Sequence, residues 1–152
     1  MKKTVFTLLS VLAIAGLFAF TYSEVKESAA EQEVKELVLK SYVHGAFNEL
    51  NPEAMKKGFH SDFAIFSADG EKISKYPIEV WANGVAKRKA KADFDPKKNK
   101  WDHNFASVSV TGGSAAVKIE LSNNGKHVYT DYLSLLKFES GWKIVAKVYH
   151  KH

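Results

Sequence analysis

The segment His127–His152, HVYTDYLSLLKFESGWKIVAKVYHKH, decides the fold. Two apolar-rich runs, Val128–Phe138 and Trp142–Tyr149, flank the tripeptide Glu139-Ser140-Gly141. A three-residue loop with glycine last usually combines a type I turn with a glycine bulge, so the segment reads as a β-hairpin. That loop sets a register pairing Phe138 with Trp142, Leu136 with Ile144, Ser134 with Ala146, Tyr132 with Val148 and Thr130 with His150. One face is then apolar near the turn and grades into hydroxyls and an imidazole at the far end. The other face carries Leu133, Leu135 and Val145 among Lys137, Lys143, Lys147, Lys151 and Asp131. We expect the first face to be the wall of a pocket and the second to face outward. A two-residue turn would instead set Asp131 opposite His150, and any one-residue slip reverses both faces. Serine suits a primed two-residue turn poorly, which favours the three-residue loop.

Upstream of this hairpin the pattern is consecutive strands. Phe105–Val110 precedes Gly112-Gly113, and Ala115–Leu121 precedes Asn124-Gly125. Both dipeptides favour two-residue primed turns, whose central residues need positive φ. The implied pairs are Val110 with Ala115, Val108 with Val117, Leu121 with Val128, and Val117 with Tyr132. They put one apolar face on the side of Leu136, Ile144 and Trp142.

The N-terminal half reads as helical. Ser28-Ala-Ala-Glu31 is a capping box that starts a helix near Ala29. Val34, Leu37, Val38, Tyr42, Ala46, Phe47 and Leu50 continue it as an apolar stripe. Asn51-Pro52 opens a short helix ending at Gly58. Phe63–Phe66 and Lys72–Tyr76 form a hairpin around Asp69-Gly70, and Pro77 opens a third helix that fades by Ala92. The order predicts an α+β domain with helices packed on one face of a sheet.

Lys2 and Lys3, an apolar run from Val5 to Phe20, then Thr21 and Ser23 follow the order of a secretory signal peptide. We therefore expect residues 1–23 to be removed, leaving residues 24–152 as one exported domain, periplasmic or secreted, with no stable membrane anchor. The chain has 152 residues and no cysteine, which excludes disulfides and a thiol nucleophile. Its net charge of +5 is concentrated in Lys87, Arg88, Lys89, Lys91, Lys97, Lys98 and Lys100. Cations at a helix C-terminus complement the helix dipole, and no aromatics interleave this run, so no nucleic-acid partner is expected.

The helix order, the segment GFHSDFAIFSADG, and above all YTDYLSLLK followed by GWKIVAKVYH resemble the nuclear transport factor 2-like superfamily. More narrowly, they resemble the exported bacterial group called "putative lumazine-binding" proteins. The resemblance spans the whole mature chain. It implies a curved antiparallel sheet wrapped around a conical cavity, often with dimerisation through the outer sheet face. It implies no single activity, because the superfamily includes isomerases, dehydratases, polyketide cyclases and binding modules.

His150 and His152 alternate on one strand face, but a chain end is usually frayed, and no GxSxG, P-loop or GxGxxG motif occurs, so neither a metal nor a cofactor is expected. The candidate site in the predicted register is Thr130, Tyr132, Ser134 and His150, with Asn104 beside them, Trp81 and Tyr42 covering from the helices, and His60 where a helix meets a strand. The leading expectation is a domain that binds an unknown small molecule without turnover. An acid–base isomerase or dehydratase would use His150 as proton carrier, with Tyr132 and Asn104 orienting a carbonyl or hydroxyl. A protein-interaction module would use the outer face instead. A homodimer is expected through Leu133, Leu135 and Val145, which would otherwise be an exposed apolar strip.

Overall fold

The computed structural model describes residues 27–152; the expected signal segment, residues 1–23, lies outside the described residues. Among the described residues no helix is long and apolar enough to cross a membrane.

Ser28 caps helix α1, Ala29–Leu37: its hydroxyl accepts from the Glu31 amide, and the Glu31 carboxylate accepts from the Ser28 amide. The apolar stripe then continues as predicted but in a wider coil. Val38–Asn48 is a π-helix, closed by the Glu49 amide donating to the His44 carbonyl at 2.8 Å. The wider turn keeps Val38, Tyr42, Val43 and Ala46 on the buried side. Asn51 caps α2, Pro52–Gly58, by accepting from the Ala54 amide. Strands β1, Phe59–Asp69, and β2, Lys72–Pro77, form the first hairpin, and α3, Ile78–Lys89, follows directly. Four strands complete the chain: β3, Trp101–Thr111; β4, Ser114–Asn123; β5, Lys126–Phe138; and β6, Gly141–Lys151.

All six strands form one curved sheet in the order β2-β1-β6-β5-β4-β3. The β1–β6 pairing is parallel, so the sheet is mixed rather than wholly antiparallel. The helices cover one face, and the core lies between, built from residues such as Val34, Val43, Met55, Phe63, Ile119 and Ile144.

The two-residue turns at Gly112-Gly113 and Asn124-Gly125 form, with positive φ at both Asn124 and Gly125 but only at Gly112 in the first; Val110 pairs with Ala115 and Val108 with Val117. In the final hairpin, Thr130–His150, Tyr132–Val148 and Ser134–Ala146 also pair as predicted. The remaining pairs are displaced by one residue. Leu121 pairs with Tyr129, Val117 with Leu133, Leu135 with Ile144, and Lys137 with Trp142. A bulge at Val128 displaces the β4–β5 pairs, and the final turn is the two residues Glu139-Ser140, with Phe138 paired to Gly141, instead of the three-residue loop expected. The bulge at Val145 in β6 then restores the predicted pairing beyond it. An inserted residue shifts the in–out alternation by one, so everything beyond it changes face.

The expected faces of β5 are therefore reversed. Leu133 and Leu135 are each only 1% exposed and lie in the core beside Val117 and Leu121, while Val145 is half-buried at the bulge. They do not form an outward strip, and the dimer surface expected from them does not exist. The outer face instead exposes Tyr132, Leu136, Phe138 and Val148.

Candidate functional site

The reversal brings two charged residues inside. Asp131 on β5 is 0% exposed and Lys147 on β6 is 4% exposed, both facing the helices. The bulge at Val145 is what turns Lys147 inward, since Trp142 and Ile144 before it already face the core. The π-helix supplies the third member, Tyr42, which is fully buried. Tyr42 Oη donates to Asp131 Oδ2 at 2.6 Å and accepts from Lys147 Nζ at 2.6 Å. Lys147 Nζ also contacts Asp131 Oδ1 at 2.8 Å. Ammonium, carboxylate and phenol thus close a triangle with no net charge.

Aromatic rings surround this triangle. The Lys147 ammonium lies 5.0 Å from the ring centres of Tyr42 and Tyr149, and 5.6–5.8 Å from those of Trp81, Tyr129 and Phe47. Cation–π attraction at these distances compensates part of the ammonium's lost hydration. The compensation is incomplete: burial lowers the Lys147 pKa from its ordinary value, although the charge and contact of Asp131 oppose the shift. Burial likewise raises the Tyr42 pKa well above its ordinary value, reinforced by the charge of Asp131 and the hydrogen bond to it.

Above Lys147 opens a pocket of about 270 Å³, walled by Phe47, Tyr76, Trp81, Tyr129 and Tyr149, with Ile65 and Ser67 completing the rim. A larger hollow of about 610 Å³ lies at the tip of the β1–β2 hairpin, but no buried ionisable group opens into it. The pocket over Lys147 is the one that joins an aromatic wall to a chemically competent group. Among the described residues no group of three or more His, Asp or Glu side chains has a metal-binding arrangement.

Of the residues expected at the site, only Trp81 lines this pocket, and Tyr42 lies beneath it. Thr130, Tyr132, Ser134, His150 and Asn104 lie on the opposite face of the sheet. The Val128 bulge and the two-residue final turn reverse the β5 residues, the Val145 bulge reverses His150, and a further irregularity at Ala106 in β3 reverses Asn104. Tyr132 is 49% exposed under Lys118, and Asn104 donates to Glu120. The Thr130 hydroxyl contacts His127 Nε2 at 3.1 Å and His152 Nε2 at 3.0 Å, and His150 packs edge-on to His152. His60 stacks on Phe138 and borders a separate hollow of about 190 Å³. An acid–base pair of His150 and Tyr132 is therefore not available to a ligand in the pocket.

The residues that sequence reading left outside the site, Asp131 and Lys147, are the ones that floor it. A signal for them exists: they fall on one face in either register, as two opposite charges among Leu133, Leu135 and Val145. Surface charges do not need such apolar neighbours. Deciding that they face inward requires the bulges, which the local sequence does not announce.

Comparison with known proteins agrees with this architecture. A solved nuclear transport factor 2-like protein of unknown function from Shewanella baltica OS155 is 26% identical, with a TM-score of 0.62 over 83% of this chain and 98% of that one. A similar protein from Silicibacter pomeroyi DSS-3 is 22% identical, with a TM-score of 0.63 over 83% of this chain and 100% of the other. Among curated proteins, the aldolase FrzH of Cladobotryum sp. is 28% identical over 99 residues, covering 64% of this chain and 73% of its own. The sequence profile of the family described as "Putative lumazine-binding" matches residues 29–150, nearly everything the helices and the sheet contain. With that span matched and the cone fold shared, the chain belongs to the "Putative lumazine-binding" family of the nuclear transport factor 2-like superfamily.

Proposed function

We propose that the chain is an exported small-molecule-binding protein whose ligand is a planar, unsaturated compound bearing a carbonyl group. The observation that carries this reading is Lys147 at the floor of an aromatic pocket, its charge balanced from beneath by Asp131. Flat rings stack on Trp81, Tyr129 and Tyr149, while a carbonyl oxygen accepts a hydrogen bond from the ammonium. The neutral triangle disfavours a strongly charged ligand. Lumazine, named in the family's description, has this shape and chemistry. Titration calorimetry with lumazine and a panel of planar carbonyl compounds is the test. At least one should bind saturably, and Tyr129→Ala should weaken it by about tenfold through lost ring contact. Absence of saturable binding across the panel, or binding indifferent to Tyr129→Ala, would overturn the assignment.

A second reading is acid–base catalysis on the same bound carbonyl compound. It is favoured by the lowered Lys147 pKa, which brings an amine closer to the working range of a proton carrier, and by the aldolase among the relatives. The homodimer implied by the superfamily resemblance remains part of the proposal, moved to the outer strip of Tyr132, Leu136 and Val148.

A further inference from the structure

The triangle is an expensive thing to bury. Replacing an internal ion pair by apolar residues of similar size is often neutral or stabilising. The neighbours of Lys147 are aromatic and would accommodate methionine or leucine. Binding a carbonyl oxygen alone needs only one donor, which a tyrosine hydroxyl supplies without a buried charge. What a lysine adds is an amine on a flexible stem, and what Asp131 and Tyr42 add is a route for its protons.

We propose that Lys147 Nζ is a nucleophile that condenses with the carbonyl carbon of a bound aldehyde or ketone to form an iminium, an inference that rests on the aromatic pocket being the ligand site. The parts are in contact. Asp131 Oδ1 is 2.8 Å from Nζ and receives a proton as the ammonium becomes an amine. The amine lone pair attacks the carbonyl carbon; the Nζ–C bond forms and the carbonyl oxygen becomes a hydroxyl. Tyr42 Oη, bonded at 2.6 Å to both Nζ and Asp131 Oδ2, connects the proton acceptor to the reacting nitrogen. The C–O bond then breaks and the oxygen leaves as water. Two of the ammonium's three protons leave with that water, the third stays on the iminium nitrogen, and nothing is oxidised or reduced.

The setting suits the step. The Lys147 ammonium is desolvated, so the free amine is more accessible at neutral pH than on the solvated lysines of the same chain. Each unit by which its pKa falls raises the free-amine fraction about tenfold. The walls of Phe47, Trp81, Tyr129 and Tyr149 restrict the water that would hydrolyse an iminium, and they face its cation with ring π-electrons. The ligand class is thus narrowed from planar carbonyl compounds to aldehydes and ketones, since amides and ring carbonyls of the lumazine type do not condense with amines under mild conditions.

Benzaldehyde with sodium cyanoborohydride at neutral pH tests this on the wild-type protein, followed by peptide mapping. Reduction fixes the adduct as a gain of the aldehyde's mass less one oxygen atom. The expected result is label concentrated on Lys147, clearly above that on the exposed Lys126 and Lys151. Calorimetry with benzaldehyde alone separates the two levels of the claim. Binding that weakens in Tyr129→Ala, with label spread evenly over the lysines, leaves the pocket standing and refutes the covalent step. If benzaldehyde does not bind and Lys147 is not preferentially labelled, both the pocket assignment for this class and the covalent step fall. Neither measurement needs a substitution at Lys147, so a folding defect there cannot confuse the result.

Discussion

Tyr42 shows how much one residue inside the triangle controls. Its hydroxyl serves both partners, so Tyr42→Phe leaves Asp131 Oδ2 without a donor and Lys147 with Asp131 Oδ1 as its remaining oxygen partner. The expected cost is about 1–3 kcal/mol at neutral pH. The pH dependence has a definite sign. Tyr42 holds its proton more tightly folded than unfolded, so its contribution is complete below its ordinary pKa of 10.0 and is lost as pH rises through the folded value. Lys147 runs the other way: its folded pKa is lowered, so its contribution is present above 10.5 and is lost as pH falls through the folded value. Urea denaturation from about pH 8 to pH 11 should therefore show the stability gap between wild type and Tyr42→Phe closing above about pH 10. A gap that stays constant or widens there would contradict the buried hydroxyl's role.

At the scale of elements, the site depends on two departures from regularity, the π-helix and the β6 bulge. The π-helix presents Tyr42 and is itself held by α2 at a close approach. A Cβ on Gly58 would lie 2.1 Å from Ser41 Oγ and 2.2 Å from Ser41 Cβ, so only glycine fits. Because Ser41 directly precedes Tyr42, this contact locates the phenol as well as the helix pair. Gly58→Ala should cost about 3 kcal/mol through overpacking. Ser41→Gly removes both clashing atoms, so the double variant should recover most of that loss apart from about 1 kcal/mol for a helical glycine. Urea midpoints of the two single variants and the double variant read the coupling. Simple additivity would show that α2 shifts freely on the π-helix. The bulge at Val145 acts by parity, exchanging the outward path of Lys147 for an inward one.

At the scale of the whole molecule, the sheet has one face closed by helices and one left open. On the open face Tyr132 and Val148 are paired neighbours and each is about half exposed, with Leu136 further along the same strand. Contiguous apolar groups of this kind on a monomer mark an interaction surface. The second copy expected there and the export of the chain are both read by native mass spectrometry of protein collected from periplasm or medium. The expected species is a dimer whose chains lack about 20 to 24 N-terminal residues. Leu136→Asp should convert it to monomer. A monomeric wild type would remove the dimer, and a full-length chain held in membranes would remove the export.

Sequence alone determined the order of elements, the helix cap at Ser28, the turns at Gly112-Gly113 and Asn124-Gly125, and the family, because capping, turn chemistry and apolar periodicity are local properties. The pairs from Thr130–His150 to Ser134–Ala146 match the predicted register only because the Val145 bulge offsets a final turn one residue shorter than expected. The site was not legible. Alternation tells which residues share a face, but not which face is covered, and a single inserted residue at Val128 or Val145 exchanges the two. Nothing in a run of branched apolar residues marks which one is left unpaired. That is decided when the sheet curves against the helices and Asp131 meets Tyr42 across 89 residues of chain. A carboxylate and an ammonium enter the core only because each finds the other there along with a phenol and a ring of aromatics. Such mutual satisfaction is a property of the packed structure and of no single segment.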